Sequence, residues 1–398
     1  MKRLGLCTLF LALFCAQPAP ASTPSMAAKP LLVTFPNPNV FLSPYNWRVA
    51  ADGSIWAPTG GPYFKFSVTG TSRILLNVDT AINHGVAPPN MPSLKVIVDD
   101  GPPAFVLFAP SATQVTLASG LSPASRHTLL VYAIGANTNL PEAWTGSIAQ
   151  THIRSLQFDR GAILSPYPII RRKNCFILGD SILQGYYGLH AAGNYYTYVD
   201  PSVTWAIQLG YVMGCEVGVV GVAGQGFLEP GNAGQISGGY PPLTGSWNFY
   251  DSTHPRSFSP PPDYVIDAHG VNDHRSRFSA AAVQAAVESF LNSVRSQLPR
   301  SSIFVYLPFG GQLRDGTGAG ANYAPIKSAV RAFGDANTFL IDPGASLRSA
   351  NTGVKPTWFS PNDGTHPAQI NHGILTGIAA QQMQKALDAG RNGHSPSP

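Results

Sequence analysis

An antiparallel β-sandwich joined to a doubly wound, parallel five-stranded α/β sheet is the architecture this sequence predicts, and three observations predict it. Up to about Pro168 the chain offers many short runs of β-forming residues, cut by turn signals, and no long helical period. Past Pro168, short apolar runs alternate with helical periods, the rhythm of a parallel sheet covered by helices. At 398 residues, 44% hydrophobic and 11% charged, with 40 Gly and 36 Pro, the chain is long enough for about two well-buried, turn-rich domains.

The first residues stand apart. Lys2 and Arg3 precede an apolar run from Leu4 to Cys15, and Ala19-Pro20-Ala21 then supplies small residues. Residues 1–21 are therefore expected to be a secretory signal peptide, and the protein to be exported to a periplasmic or extracellular compartment. The run is too short for a stable membrane anchor, and no later segment has the length. Bulky Phe14 ahead of Cys15 makes a lipid anchor on that cysteine the lesser alternative.

Residues 30–168 read as the sandwich, of jelly-roll type. Its strand candidates include Tyr63 to Val68, Arg73 to Val78, Ser93 to Val98, Ala104 to Phe108, Gln114 to Leu117 and Thr128 to Ala133. Asp100-Gly101 between two of them is a hairpin signal. Residues 169–390 read as the α/β domain, with strands near Cys175 to Leu178, Glu216 to Val220, Tyr264 to Ala268, Ile303 to Leu307 and Thr338 to Ile341. Val283, Val287, Phe290, Leu291, Val294 and Leu298 form one helical stripe with Ser279 as its cap, and Pro325 opens another helix that Gly334 closes. A third is expected from Ala368 to Leu387. Leu228 to Pro262 interrupts the rhythm with Gly, Pro, Ser and aromatics, as a functional or disordered loop does, and Trp247, Phe249 and Tyr250 argue for a packing role there, within the loop or over a ligand.

The net charge of +5 is mild, and no basic cluster is longer than Arg171-Arg172-Lys173, so a nucleic-acid footprint is absent. Once the signal leaves with Cys7 and Cys15, Cys175 and Cys215 remain. Each starts a strand candidate, and the pair is open to two readings, a disulfide or two buried thiols.

The chemistry gathers at strand tips. Cys175 to Leu178 ends in Gly179-Asp180-Ser181, which puts a hydroxyl where open α/β sheets bind ligands. Ser181 suits a nucleophile there, and equally a helix cap. A serine nucleophile needs a base, a group to orient it and donors for an oxyanion. Asp363 and His366 supply a carboxylate and an imidazole in a loop after the last strand. Gly221 to Gly226 could offer a backbone N–H, and Asn272, in His269-Gly270-Val271-Asn272-Asp273, a side-chain amide. His269, Asp273, His274 and His366 lack metal-binding spacing, so neither metal nor cofactor is expected.

These blocks resemble those of the SGNH (GDSL-type) hydrolases: Gly179-Asp180-Ser181, a block-two glycine at Gly224, Gly270-Val271-Asn272-Asp273, and Asp363 to His366. The resemblance implies Ser181 as nucleophile, His366 as base and Asp363 as its orienting partner. It also implies an oxyanion hole from Ser181, Gly224 and Asn272, with Gly221 competing for the glycine's place. Arg126-His127-Thr128 to Tyr132, then Ile153 to Leu164, Pro166 and Arg171-Arg172-Lys173, are similar to the junction in carbohydrate esterase family 2. That similarity implies a jelly roll ahead of the catalytic domain and removal of O-acetyl groups from a saccharide. Tyr186, Tyr187, Trp247, Tyr250 and Trp358 are then candidate sugar-binding aromatics. A lipase, thioesterase or arylesterase, an O-acetyltransferase, and a non-catalytic glycan-binding envelope protein are the alternatives.

Overall fold

A computed structural model describes residues 29–87, 90–135, 144–145, 150–186, 199–231, 239–274, 278–308, 322–343 and 366–391. Residues 1–21, the expected signal peptide, and Asp363 lie outside them.

Among the described residues the first part of the chain forms β1 (Leu31–Val33), β2 (Phe41–Leu42), β3 (Arg48–Val49), β4 (Ile55–Ala57), β5 (Tyr63–Thr69), β6 (Arg73–Val78), β7 (Ser93–Val98), β8 (Ala104–Leu107), β9 (Gln114–Ser119), β10 (His127–Gly135), β11 (Thr151–Phe158) and β12 (Ile163–Ser165). They make two antiparallel sheets, β3-β4-β11-β6-β9 with β1 beside β11, and β12-β5-β10-β7-β8 with β2 beside β5. Side chains alternate across a strand, and in β5 six of the seven residues are buried because both faces are covered. Phe64, Phe66 and Val68 point into the sandwich core, while Tyr63 on the other face joins the core of the second domain. The sheet is covered on both sides.

Asp100-Gly101 does mark a hairpin, between β7 and β8. Asp99 and Asp100 hold φ of 52° and 55°, and Gly101 closes the turn by donating to the Val98 carbonyl at 2.9 Å. Aspartate tolerates the left-handed region. The Asp99 carboxylate is also fixed from β10, 2.7 Å from both His127 Nδ1 and the Thr128 N–H.

The second part alternates strand and helix: β13 (Lys173–Gly179), α1 (Ser181–Gln184), α2 (Trp205–Met213), β14 (Cys215–Gly221), α3 (Leu243–Ser246), β15 (Tyr264–Asp267), α4 (Ala280–Gln297), β16 (Ser302–Tyr306), α5 (Tyr323–Phe333), β17 (Thr338–Ile341) and α6 (Gln369–Arg391). The five strands are parallel, in the order β14-β13-β15-β16-β17. All six stripe residues of the α4 reading are buried, and Ser279 caps the helix by accepting from the Ala282 N–H at 3.2 Å. Helix α5 begins at Tyr323, two residues ahead of Pro325, which the first turn tolerates because its missing N–H has no intrahelical acceptor there. Cys175 and Cys215 form a disulfide between the neighbouring strands β13 and β14, with Cα atoms 5.7 Å apart. No helix among the described residues is long and apolar enough to cross a membrane.

Candidate active site

In a parallel sheet of this order, the chain leaves β13 toward β14 on one side and continues to β15 on the other. The crevice over the carboxyl ends of these strands is the topological switch point. Ser181, the turn holding Gly224, and Asn272 follow β13, β14 and β15 in turn, and this topology brings them together.

Ser181 is the first residue of α1. Asp180 is the cap, its Oδ1 accepting the Ile182 N–H at 2.9 Å, so the carboxylate of the Gly-Asp-Ser block holds the turn. As first helical residue, Ser181 has an N–H ahead of the first intrahelical bond. His366 stands just before α6, 9% exposed, with Nε2 2.7 Å from Ser181 Oγ. The two sequence blocks 185 residues apart thus meet at hydrogen-bond distance.

The β14 tip separates its two glycines. Gly221 pairs with Gly179 inside the ladder, whereas Gly224 occupies the turn with φ of 73°, a conformation that glycine adopts without strain. Asn272 is 3% exposed, and its Nδ2 donates to Asp180 Oδ2 and to the Gln225 carbonyl, each at 3.0 Å. The amide therefore ties the three tips together, and an oxyanion would share one of its two hydrogens. Asp273 accepts the N–H groups of Phe227, Leu228 and Glu229 at 2.9, 2.6 and 3.1 Å. A Cβ at Gly226 would fall 2.6 Å from the Asp273 carboxyl carbon, so glycine there admits the carboxylate.

The aromatic candidates divide. Tyr186 lies at the site, stacked on the His366 imidazole with centroids 5.5 Å apart, where it supports the ring. Trp247 and Tyr250 do not face a ligand. Trp247 is 2% exposed, wedged between Phe258 and Phe290 of α4, with its N–H donated to Ser293 Oγ at 3.1 Å. Tyr250 is 7% exposed under the Arg256 guanidinium. Both are corrections to the sequence reading: the aromatics of the Leu228 to Pro262 insertion fasten it to α4 and the core. Tyr187, Trp358 and Asp363 lie outside the described residues.

Two histidines of the site region were not legible as such. His269, at the β15 tip, is 1% exposed with Nδ1 2.7 Å from Asp267 Oδ1. Burial opposes its charge, but Asp267 beside it, with Asp180 and Asp273 beyond, holds its pKa above the ordinary value. Two polar residues at i and i+2 on a buried strand share a face, and that was the available signal. His372, on α6, is fully buried, and its Nδ1 accepts the Trp205 N–H at 3.1 Å, capping α2 from outside. Burial and the nearby His366 push its pKa down to about 3, and burial pushes His152 down to about 4.

These directions set a pH dependence of stability. A histidine depressed in the folded state is neutral there but charged when unfolded below about pH 6.5, so its contribution falls with falling pH, by about 1.4 kcal/mol per unit. His152 and His372 both act between about pH 6.5 and 4. His269, raised when folded, contributes fully below about pH 6.5 and loses that contribution as pH climbs through its folded value. Thermal melts are expected to peak near pH 6 to 7 and to fall steeply by pH 4.5. A melting temperature flat across that acid range would contradict the assignment.

Residues 177–372 match the family model described as GDSL-like Lipase/Acylhydrolase. No curated protein matches the chain in sequence. Among solved structures, a family two carbohydrate esterase from Cellvibrio japonicus superposes with a TM-score of 0.70 at 16% identity, covering 90% of this chain and 98% of its own. One from Clostridium thermocellum in complex with cellohexaose gives 0.68 at 16%, covering 88% and 99%. An acetyl xylan esterase, Est2A, from the rumen bacterium Butyrivibrio proteoclasticus gives 0.67 at 12%, covering 91% and 99%. The sandwich and the parallel sheet thus recur together in all three, and the family match with this fold supports hydrolysis of esters. The chain carries a GDSL-like lipase/acylhydrolase domain behind an N-terminal β-sandwich, and its fold is that of carbohydrate esterase family 2.

Proposed function

We propose that the protein is a serine esterase that removes O-acetyl groups from a saccharide, with Ser181 as nucleophile. The observation that carries this is the 2.7 Å contact between Ser181 Oγ and His366 Nε2 at the switch point of the sheet. His366 Nε2 takes the hydroxyl proton as Oγ attacks the acetyl carbonyl. The tetrahedral oxyanion is met by the N–H groups of Ser181 and Gly224 and by Asn272 Nδ2. Collapse breaks the bond to the sugar oxygen, which leaves with the proton from His366. Water then gives its proton to His366 and its hydroxide to the acetyl-serine, releasing acetate and restoring Oγ–H. Asp363 is assigned to orient the imidazole. The saccharide half of the reading is supported by the fold shared with carbohydrate esterases, one of them in complex with cellohexaose and another an acetyl xylan esterase. Export by residues 1–21 accords with the Cys175–Cys215 disulfide, a bond of oxidising compartments.

The test is acetate release across a panel of acetylated glycans, beside aryl esters of increasing acyl length. Acetylated glycans are expected to lead and activity to decline beyond acetate. Faster turnover of long acyl chains would replace the saccharide reading by a lipase or thioesterase, and acetyl transfer to sugar outpacing hydrolysis would make the protein a transferase. Asn272→Ala is expected to lower kcat by about 10²–10³ with KM little changed, as for loss of one oxyanion donor. An unchanged kcat would remove Asn272 from the hole.

A further inference from the structure

One cavity among the described residues lies away from Ser181. It has a volume of about 190 Å³ and lies between the two domains, at the amino ends of the parallel strands, where Cys215 and Val217 of β14 meet Tyr63 and Lys65 of β5. The seven residues of β13 separate this end of the sheet from Ser181, roughly 20 Å at the usual rise of a strand. The reaction above does not involve it.

Its walls are preformed. Tyr132 and Tyr211 join hydroxyls at 2.9 Å, and the Arg171 guanidinium lies 4.2 Å over the Tyr211 ring. Lys65 Nζ is 2.7 Å from Glu216, 2.8 Å from the Ile169 carbonyl and 5.2 Å over the Tyr167 ring. The disulfide ties Cys215, in the cavity wall, to β13. The mouth is open and mixed in character: Tyr211 is 48% exposed and Ile169 63%, with the exposed Asp100 of the β7–β8 hairpin beside them. Tyrosine faces suit the C–H faces of a sugar ring, while Asp100 and Arg171 supply an acceptor and a forked donor for its hydroxyls. Two cations, Lys65 and Arg171, are matched by two carboxylates, Glu216 and Asp100, so the site favours a neutral ligand. The volume is below that of pockets for larger ligands, about 300 Å³ and up, and holds one ring.

We propose that this interdomain cavity is a second saccharide site, binding one neutral pyranose ring of a glycan away from the ester being cleaved. The inference rests on the saccharide reading of the catalytic site for its ligand class, but not for its test. Unacetylated xylohexaose is titrated calorimetrically into the full chain, with hydrolysis of 4-nitrophenyl acetate measured in parallel. Tyr211→Ala and Asp100→Asn are each expected to weaken binding by roughly tenfold and to leave kcat/KM on the aryl acetate unchanged. Hydrogen-exchange protection by the oligosaccharide is expected in residues 165–173 and 207–217 of the parent. Asp100→Asn keeps a residue that accepts the left-handed turn, so it decides the case where Tyr211→Ala is misfolded. Binding equal to the parent in Asp100→Asn, protection confined to the strand tips around Ser181, or no xylohexaose binding at all overturns the proposal. An inactive parent that still binds at 165–173 and 207–217 would fail the esterase reading alone.

Discussion

Ser181→Ala is expected to lower kcat/KM on 4-nitrophenyl acetate by at least about 10⁴-fold while the folded state is retained. Without Oγ no acyl-enzyme forms, and the remaining rate comes from the oxyanion donors acting on water, a residual of about 10³–10⁴ over the uncatalysed reaction. The side chain is small and only part-buried, and the α1 cap belongs to Asp180, so truncation leaves the turn intact. His366→Ala should cost about as much, and the double variant little more, because nucleophile and base act as one unit. Circular dichroism and a melting curve close to the parent's complete the expected result. Near-normal turnover in Ser181→Ala would remove Ser181 from the chemistry, and losses that add in the double variant would show that Ser181 and His366 do not act as one unit. A fluorophosphonate that labels the parent but not Ser181→Ala checks the same assignment without substrate.

The stretch around Ser181 was readable because its signal is local: a buried apolar run, a stop, and polar residues at the tip. The other tips were readable one by one only as ordinary turns, and their order along the chain made them a set. The α4 stripe was readable for the same reason, since period and cap lie within twenty residues. What escaped is what depends on distant partners. Trp247 and Tyr250 look like exposed loop aromatics until Phe290, forty-odd residues on, packs against the indole. Lys65 sits within an apolar run and Glu216 at the start of another, and nothing near either names its partner 151 residues away. The His372 contact with the Trp205 N–H likewise joins residues 167 apart. The hairpin was readable at its Asp99-Asp100-Gly101 turn, but not the Asp99 contacts that pin it, which come from β10.

Glu216→Ala is expected to destabilise the protein by about 3–5 kcal/mol, the cost of breaking a buried ion pair from one side. Glu216 is fully buried on β14, and its carboxylate accepts from Lys65 Nζ at 2.7 Å, the Tyr63 hydroxyl at 2.5 Å and the Arg171 N–H at 2.8 Å. Burial already draws the Lys65 ammonium below its usual pKa, with Glu216 opposing that shift. Removing the carboxylate leaves a buried cation and two donors without an acceptor. The loss is large against a typical total of about 5–15 kcal/mol, and it falls on one place. Tyr63 and Lys65 belong to the sandwich and Glu216 to the parallel sheet, while the core around Tyr63, Tyr132, Val217 and Val219 runs unbroken between them. Other bridges across the joint, Lys95 to Asp200 at 2.7 Å and Arg48 to Asp251 at 3.9 Å, remain.

Calorimetry of the parent should therefore show one coupled transition, and Glu216→Ala an earlier one that separates the melting of the two domains. Lys65→Met combined with Glu216→Leu should recover much of the loss, since apolar replacement of a buried pair is often neutral. A Glu216→Ala protein within 1 kcal/mol of the parent, melting in one step, would show that the Lys65–Glu216 pair is not what couples the sandwich to the sheet.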